Sequence, residues 1–197
     1  MKTIIFATQN EGKVKEVKQI MKDIHMITMT EAGIDIDVVE DGDTFEANAI
    51  KKAEEIMKES GEIVLADDSG LEIDYFDGAP GVYSARYLGK DTPYTEKNAI
   101  ILDKMKEVPQ EKRSARFVCA IAVAFPDGVT LVTKEVMEGI IGYEAKGNGG
   151  FGYDPIFLPE GFDTSTADIS AELKNEISHR GKALRAMKIQ LEKVLES

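Results

Sequence analysis

Asp67 and Asp68 stand side by side behind the apolar run Ile63-Val64-Leu65-Ala66, and Ser69-Gly70 follow at once. Adjacent like charges repel, so the pair is either a solvated turn or the seat of something cationic. Magnesium is a hard cation that takes carboxylate oxygens, often one or two from protein, with substrate phosphates and water completing the shell. More carboxylates lie upstream at Glu40, Asp41, Asp43 and Glu46. A solvated acidic loop that caps the next helix explains 40–46 as well, and for Glu46 it is the preferred reading. For Asp68 that reading is weaker, because strand ends are where α/β folds place their sites.

Three further stretches have chemical potential. Thr8-Gln9-Asn10-Glu11-Gly12-Lys13 falls between an expected strand and an expected helix. Such a turn aims backbone N–H groups and the positive end of the helix dipole at an anion. Thr8 and Asn10 add hydrogen-bond donors and Lys13 adds a charge. The glycine spacing is not that of a P-loop, and Val14 stands where a magnesium-binding hydroxyl would be. An ordinary strand-to-helix turn accounts for the stretch about equally well. In 147–154, four glycines among six residues surround Phe151 and precede Tyr153 and Asp154. Glycines at that density suggest positive φ or close backbone approach, and the two aromatic rings suit stacking on a base. A tight β-turn with aromatic packing is the plainer alternative. Lys174, His179, Arg180 and Lys182 form the densest basic group outside the first helix. On one regular helix Lys174 and Arg180 would point about 120° apart. A helix that starts near Ser178, with that serine as N-cap, would relieve this and set His179 and Arg180 at its positive end. A solvated basic face is the alternative.

The elements that must position these residues can be read from periodicity. Residues 2–8 read as a buried strand, 26–30 as a second, and 31–43 as an acidic loop. Val14, Val17, Ile20, Met21 and Ile24 make one helical stripe. Phe45, Ala49, Ala53, Ile56 and Met57 make another, capped by Asp43 or Thr44. Ile63 to Ala66 is a short strand that stops at the aspartates. Thr92-Pro93 opens a third helix, with proline in its first turn. Residues 115–125 and 129–137 are β-rich runs around a Pro126-Asp127-Gly128 turn, and Ile140 to Ala145 extends the sheet. From about Ser178 the chain is helical, with Leu184, Met187, Leu191 and Val194 on one face. Alternating strands and helices followed by a meander predict an α/β protein with a mixed sheet.

Composition narrows the partners. The 197 residues, 43% hydrophobic, suit one large domain or two small lobes that share a core. One cysteine excludes an internal disulfide, and with two histidines it argues against structural zinc. Cys119 sits in an apolar run and reads as a packing thiol. The apolar start is too short for a signal peptide, and no run reaches membrane-span length. A cytoplasmic protein with no membrane partner is expected. The net charge of -12 argues against a nucleic-acid surface. A small polyanion can still bind through local Lys and Arg or through a bridging divalent cation.

Together the stretches resemble the inosine triphosphate pyrophosphatase family, over nearly the whole chain. The match runs through Thr8–Lys13, Asp67-Asp68-Ser69-Gly70-Leu71 and Pro80-Gly81-Val82-Tyr83-Ser84-Ala85-Arg86-Tyr87. It continues at Gly149–Pro155 and ends at Ser178-His179-Arg180-Gly181-Lys182-Ala183-Leu184. The resemblance implies one domain of two lobes around a long mixed sheet with flanking helices, a nucleotide cleft between the lobes, magnesium dependence and a homodimer. It implies that Thr8, Gln9, Asn10, Glu11, Gly12 and Lys13 hold the triphosphate. Glu40 and Asp68 would ligate magnesium, with Asp68 as proton acceptor, and Ser69 would touch substrate. Phe151, Gly152, Tyr153 and Asp154, with Lys174, His179 and Arg180, would hold base and sugar. The reaction implied is hydrolysis of a non-standard purine nucleoside triphosphate (ITP, dITP, XTP) to monophosphate and pyrophosphate, which clears it from the pool that feeds DNA and RNA. Lys13 would offset charge on the leaving group. Asp68, an ordinary carboxylate, is a weak base at neutral pH, so orienting a metal-activated water is an equal account. Hypoxanthine and xanthine present a 6-oxo acceptor and an N1–H donor. His179 and Arg180 are the candidate donors to O6, and Asp154 or a loop carbonyl the acceptor. Two other classes compete: a sibling enzyme for pyrimidine or modified-base triphosphates, and a non-catalytic nucleotide sensor. The sensor has no need of two acidic metal ligands.

Overall fold

β1 (Ile4–Phe6) is three apolar residues, all buried. It lies between two parallel neighbours, β2 (Met26–Thr28) and β3 (Ile63–Ile73), with Ile4 in register with Met26 on one side and Ile63 on the other. β4 (Ser114–Ala124), β5 (Thr130–Ile141) and β6 (Phe157–Pro159) complete the order β2-β1-β3-β4-β5-β6. β6 pairs antiparallel with β5, so the sheet is mixed, as the alternation of elements predicts. The computed structural model of the chain describes residues 3–195; Lys2, at the start of the first expected strand, lies outside them.

Two compact units divide the chain. The first comprises residues up to 68, 119–135 and those from 179 on. Its helices are α1 (Glu11–Ile20), α2 (Phe45–Ser60) and α5 (His179–Leu195). α1 packs on α5, and both cover Ile4, Phe6, Ile63, Leu65, Cys119 and Ile121. α2 is capped by Thr44, whose hydroxyl accepts from the Ala47 N–H, and it stops at Gly61 with φ 68. That settles the choice between Asp43 and Thr44 and gives the helix the left-handed C-terminal residue that glycine tolerates best. Cys119 is buried and its thiol is pushed up to about 12 by burial, so it packs rather than reacts.

The second unit comprises residues 69–118 and 136–178. Its core gathers Leu71 and Ile73 of β3, Phe117, Ile141, Phe157, and Ile101 and Met105 around α3 (Tyr94–Lys104). Arg113 is fully buried and satisfied by main-chain carbonyls, including Ile141 at 2.7 Å and Val108 at 3.1 Å. α4 (Ala171–Ile177) is capped by Ser170.

Several expectations are revised. The third helix starts one residue later than expected, with Pro93 at the N-cap in extended conformation. β5 runs unbroken to Ile141, so the two β segments expected there are one strand. α4 was not expected, and Ser178 is an extended residue that separates it from α5. The largest revision is in β3. It does not stop at Ala66 but continues through Asp67-Asp68-Ser69-Gly70 to Ile73. Those four residues are poor strand formers; buried side-chain partners hold Asp67 and Asp68 where propensity would end the strand. Among the described residues no helix is long and apolar enough to cross a membrane.

Candidate active site

Because β3 continues through both aspartates, they point to opposite faces of the sheet. Asp67 shares the parity of Ile63 and Leu65, which face α1 and α5. Its partners come from those two helices. Lys13 Nζ lies 3.0 Å from Oδ2 and donates to Oδ1 at 3.1 Å. Arg180 donates to Oδ2 from Nε at 3.4 Å and from Nη2 at 3.3 Å. The Arg180 guanidinium also pairs with Glu16 of α1 through Nη1. Asp67 is fully buried, which opposes its ionisation, yet Lys13, Arg180 and Lys52 outweigh burial and hold the carboxyl well below the usual range.

Asp68 turns to the other face, where α2 lies. The Asn48 side chain donates from Nδ2 to Asp68 Oδ2 at 3.0 Å. Here burial and the nearby Glu40 carboxylate push the carboxyl up to about 6, against the opposing pull of Lys13, Lys52 and the Asn48 hydrogen bond. Glu40 pairs with Lys52, and Asp41 with Lys51 at 2.6 Å. Across both faces Lys13, Lys52 and Arg180 oppose Glu16, Glu40, Asp67 and Asp68. The expectation of a strand-end carboxylate is therefore revised: Asp68 is mid-strand and 6% exposed.

The turn before α1 is built as expected from a strand-to-helix junction. Asn10 caps the helix, its Oδ1 accepting from the Lys13 N–H at 3.1 Å, and the Thr8 hydroxyl accepts from the Asn10 N–H at 3.1 Å. Gln9, Asn10 and Glu11 are exposed, and Thr8, Gly12 and Lys13 half-buried. His179 is the first residue of α5 and is buried. Arg180 follows it and is 2% exposed, paired with Asp67 and Glu16.

In the second unit the 147–154 loop is pinned by its own residues. Asp154 Oδ2 accepts from the Phe151 N–H at 2.8 Å and from Lys174 Nζ at 2.6 Å. Both bonds fall on Oδ2 of Asp154, the residue expected, with a loop carbonyl as the alternative, to offer a base an acceptor. Lys174 Nζ also stands 4.7 Å above the Phe151 ring. Gly150 has φ 67, and a Cβ there would fall on the Asp154 carboxylate, so both conformation and contact require glycine. Asn98 of α3 donates to the Gly152 carbonyl at 3.1 Å. Phe151 is half-buried. Tyr153 is not available for stacking: its hydroxyl donates to the Ser84 carbonyl at 2.7 Å and its ring meets Tyr94 edge-on at 5.1 Å inside the core. Ser69 is half-buried in β3.

Three participants escaped sequence reasoning. Lys52 and Asn48 sit four apart on α2, beside the buried stripe of Ala49 and Ala53. Polar residues that border a buried stripe on the same helical face were the available signal. Glu16, three residues after Lys13, is a buried acid on a helix whose other face is solvated, a similar signal.

Glu40 and Asp68 fit a hard divalent cation. Both offer oxygen, they repel each other, and Lys52 already brings positive charge to Glu40. Among the described residues no three His, Cys, Asp or Glu side chains converge. A cation held by these two carboxylates would take its remaining ligands from phosphate oxygens and water.

A model of the Ham1 family matches residues 4–190. The chain is 45% identical to a dITP/XTP pyrophosphatase of Clostridium perfringens, over the full length of both. It is 47% identical to one of Desulforamulus reducens over 94% of each. Among solved structures, the Ham1 protein of Staphylococcus aureus superposes with a TM-score of 0.87 at 41% identity, covering 98% of this chain and 99% of that one. A HAM1 protein from Coxiella burnetii gives 0.88 at 38%, over 98% and 100%.

Proposed function

The chain belongs to the Ham1 family, and from that premise we propose that it hydrolyses non-standard purine nucleoside triphosphates (ITP, dITP and XTP) to the monophosphate and pyrophosphate. The observation behind the chemistry is Asp68: a buried carboxylate beside Glu40, pushed up to about 6. That is its state without a cation; with a cation held beside Glu40 the carboxylate would be ionised and would serve to ligate the metal and orient the attacking water. The choice of purine follows from the dITP/XTP pyrophosphatase relatives.

In the reaction a water oxygen bonds to the α-phosphorus and the bond to the bridging oxygen breaks. The electron pair leaves with pyrophosphate, and the water's proton passes either to Asp68 or, from a metal-activated water that Asp68 orients, to solvent. Lys13, held at the first turn of α1 by Asp67, stands ready to offset charge on the leaving group. The exposed start of α1, with its outward N–H groups, receives phosphate oxygens. Magnesium is the proposed cation; held by Glu40 and Asp68, it would neutralise phosphate charge and acidify water. Arg180 keeps Asp67 and Glu16 in place. In the second unit Phe151 offers a ring for the base, and Lys174 steadies both Phe151 and Asp154. Ser69, the Gly152–Asp154 backbone and His179 are assigned to substrate contact. The active form is proposed to be a homodimer in the cytoplasm, where such nucleotides arise.

The test is incubation with ITP, dITP, XTP, GTP and ATP in magnesium, with products identified. Monophosphate plus pyrophosphate is expected, fastest for ITP, dITP and XTP, much slower for GTP and slowest for ATP. Diphosphate plus phosphate, or binding without product, would overturn the proposed reaction. Equal kcat/KM for ATP and ITP would overturn only the purine-sanitising role. Sedimentation at micromolar concentration tests the dimer.

A further inference from the structure

We propose that Asn48 is a positioning residue: its carboxamide latches the loop that bears Glu40 to the Asp68 carboxylate and so fixes the spacing of the two acids. The inference rests on the metal-dependent reading above. Asn48 is fully buried in the first turns of α2. Its Oδ1 accepts from the Gly42 N–H at 2.7 Å, and its Nδ2 donates to Asp68 Oδ2 at 3.0 Å. One end of the group must accept and the other must donate. Only a carboxamide does both at this length: a carboxylate would repel Asp68, and an apolar isostere would strand the Gly42 N–H and the carboxylate.

Gly42 supplies an independent observation. A Cβ there would sit 2.7 Å from Asn48 Oδ1 and 3.0 Å from the Ala47 Cβ, so the loop approaches the helix too closely for any side chain. The loop is otherwise irregular, and α2 grips it at successive points: Lys52 on Glu40, Lys51 on Asp41 and Asn48 on Gly42. Of these three grips, only Asn48 also touches Asp68. Its bond occupies Oδ2, and among the described residues Asp68 Oδ1 accepts no hydrogen bond, which leaves that oxygen for a ligand. Groups that orient metal ligands in this way typically change metal affinity 10–100-fold when removed.

The experiment compares the unmodified protein with Asn48→Ala, Gly42→Ala and the double variant. Mn²⁺ binding to substrate-free protein is followed by electron paramagnetic resonance. Exchange protection of the Gly42 amide is read by NMR in EDTA, and kcat, KM and the magnesium requirement are measured with ITP. Asn48→Ala is expected to weaken Mn²⁺ binding about tenfold and to raise the half-saturating magnesium by the same factor. The Gly42 amide should lose protection, while KM for ITP at saturating magnesium moves less than about threefold. Gly42→Ala should reproduce these changes from the other side of the latch, and the double variant should be little worse than either. If Asn48→Ala does not fold, Gly42→Ala alone decides. Lowered thermal stability with unchanged Mn²⁺ affinity and magnesium requirement would overturn the proposal and leave Asn48 a simple prop. Should the unmodified protein release no pyrophosphate from any purine triphosphate, the proposed reaction fails, while the Mn²⁺ and exchange data still decide the latch.

Discussion

Asp67 and Asp68 are the same residue, one peptide bond apart, and the two faces of β3 treat them oppositely. On the α1/α5 face, Asp67 meets two cations and is held ionised. On the α2 face, Asp68 meets Asn48 and a second carboxylate and is held closer to its neutral form. On the first face cations and carboxylates pair with one another and stabilise the fold. On the second, burial and the Glu40 carboxylate oppose ionisation of Asp68, a condition that suits a cationic ligand or a proton. Two carboxylates with opposite surroundings are here separated by the pleat of a strand rather than by distance along the chain.

The sharpest way to break this contrast is Asp68→Asn. Turnover should fall about 10³-fold or more, while the protein without metal becomes more stable. The sign follows from the shift. A carboxyl raised from 3.8 to about 6 on folding destabilises the native state increasingly as pH climbs through that window. The stability gap between variant and parent should therefore open between about pH 4 and 6 and reach about 2–3 kcal/mol above it. Urea titrations in EDTA at pH 4.5, 5.5 and 7 measure it, and a gap that ignores pH would remove the basis for Asp68's role.

Asp67→Asn should do the reverse. It strands Lys13 and Arg180 around a neutral amide and should cost about 3 kcal/mol at pH 7, a value typical of breaking a buried pair. Because the Asp67 carboxyl is depressed on folding, the stability it contributes is complete above about pH 4 and is lost as pH falls below that. A variant as stable as the parent in urea at pH 7 would show that the charges on this face are not matched through Asp67.

Lys13→Ala separates the two contributions of the α1 face. A rate loss of about 10² in kcat is expected if the ammonium offsets charge in the transition state. A rise in KM alone, in steady-state assays with ITP, would make it a uniform binding group. The smallest effect is expected in the second unit. Gly150→Ala imposes a left-handed conformation and a contact with Asp154, a cost of about 1–2 kcal/mol. It should raise KM for nucleotide with little change in kcat. A fall in kcat matching that of Lys13→Ala would place the loop in the chemistry rather than in binding.

Much was determined by sequence alone. Apolar periodicity set α1, α2, the β-rich meander and α5, because a helical or alternating stripe is a local property of the chain. The turn at Thr8–Lys13, the glycine-rich loop and the acidic pair were visible as residue types in sequence order. Tertiary structure decided what those residues do. Local propensity ends a strand at Asp-Asp-Ser-Gly, yet Lys13, Arg180 and Asn48, drawn from three helices, hold the aspartates within β3. Periodicity could not send Tyr153 to the core and leave Phe151 half-buried, since both lie in one irregular loop. Nor could it show that Arg180, 113 residues beyond Asp67, would become its partner. Charge pairing between distant segments depends on which faces the fold brings together, and a linear pattern of residues does not encode that distance.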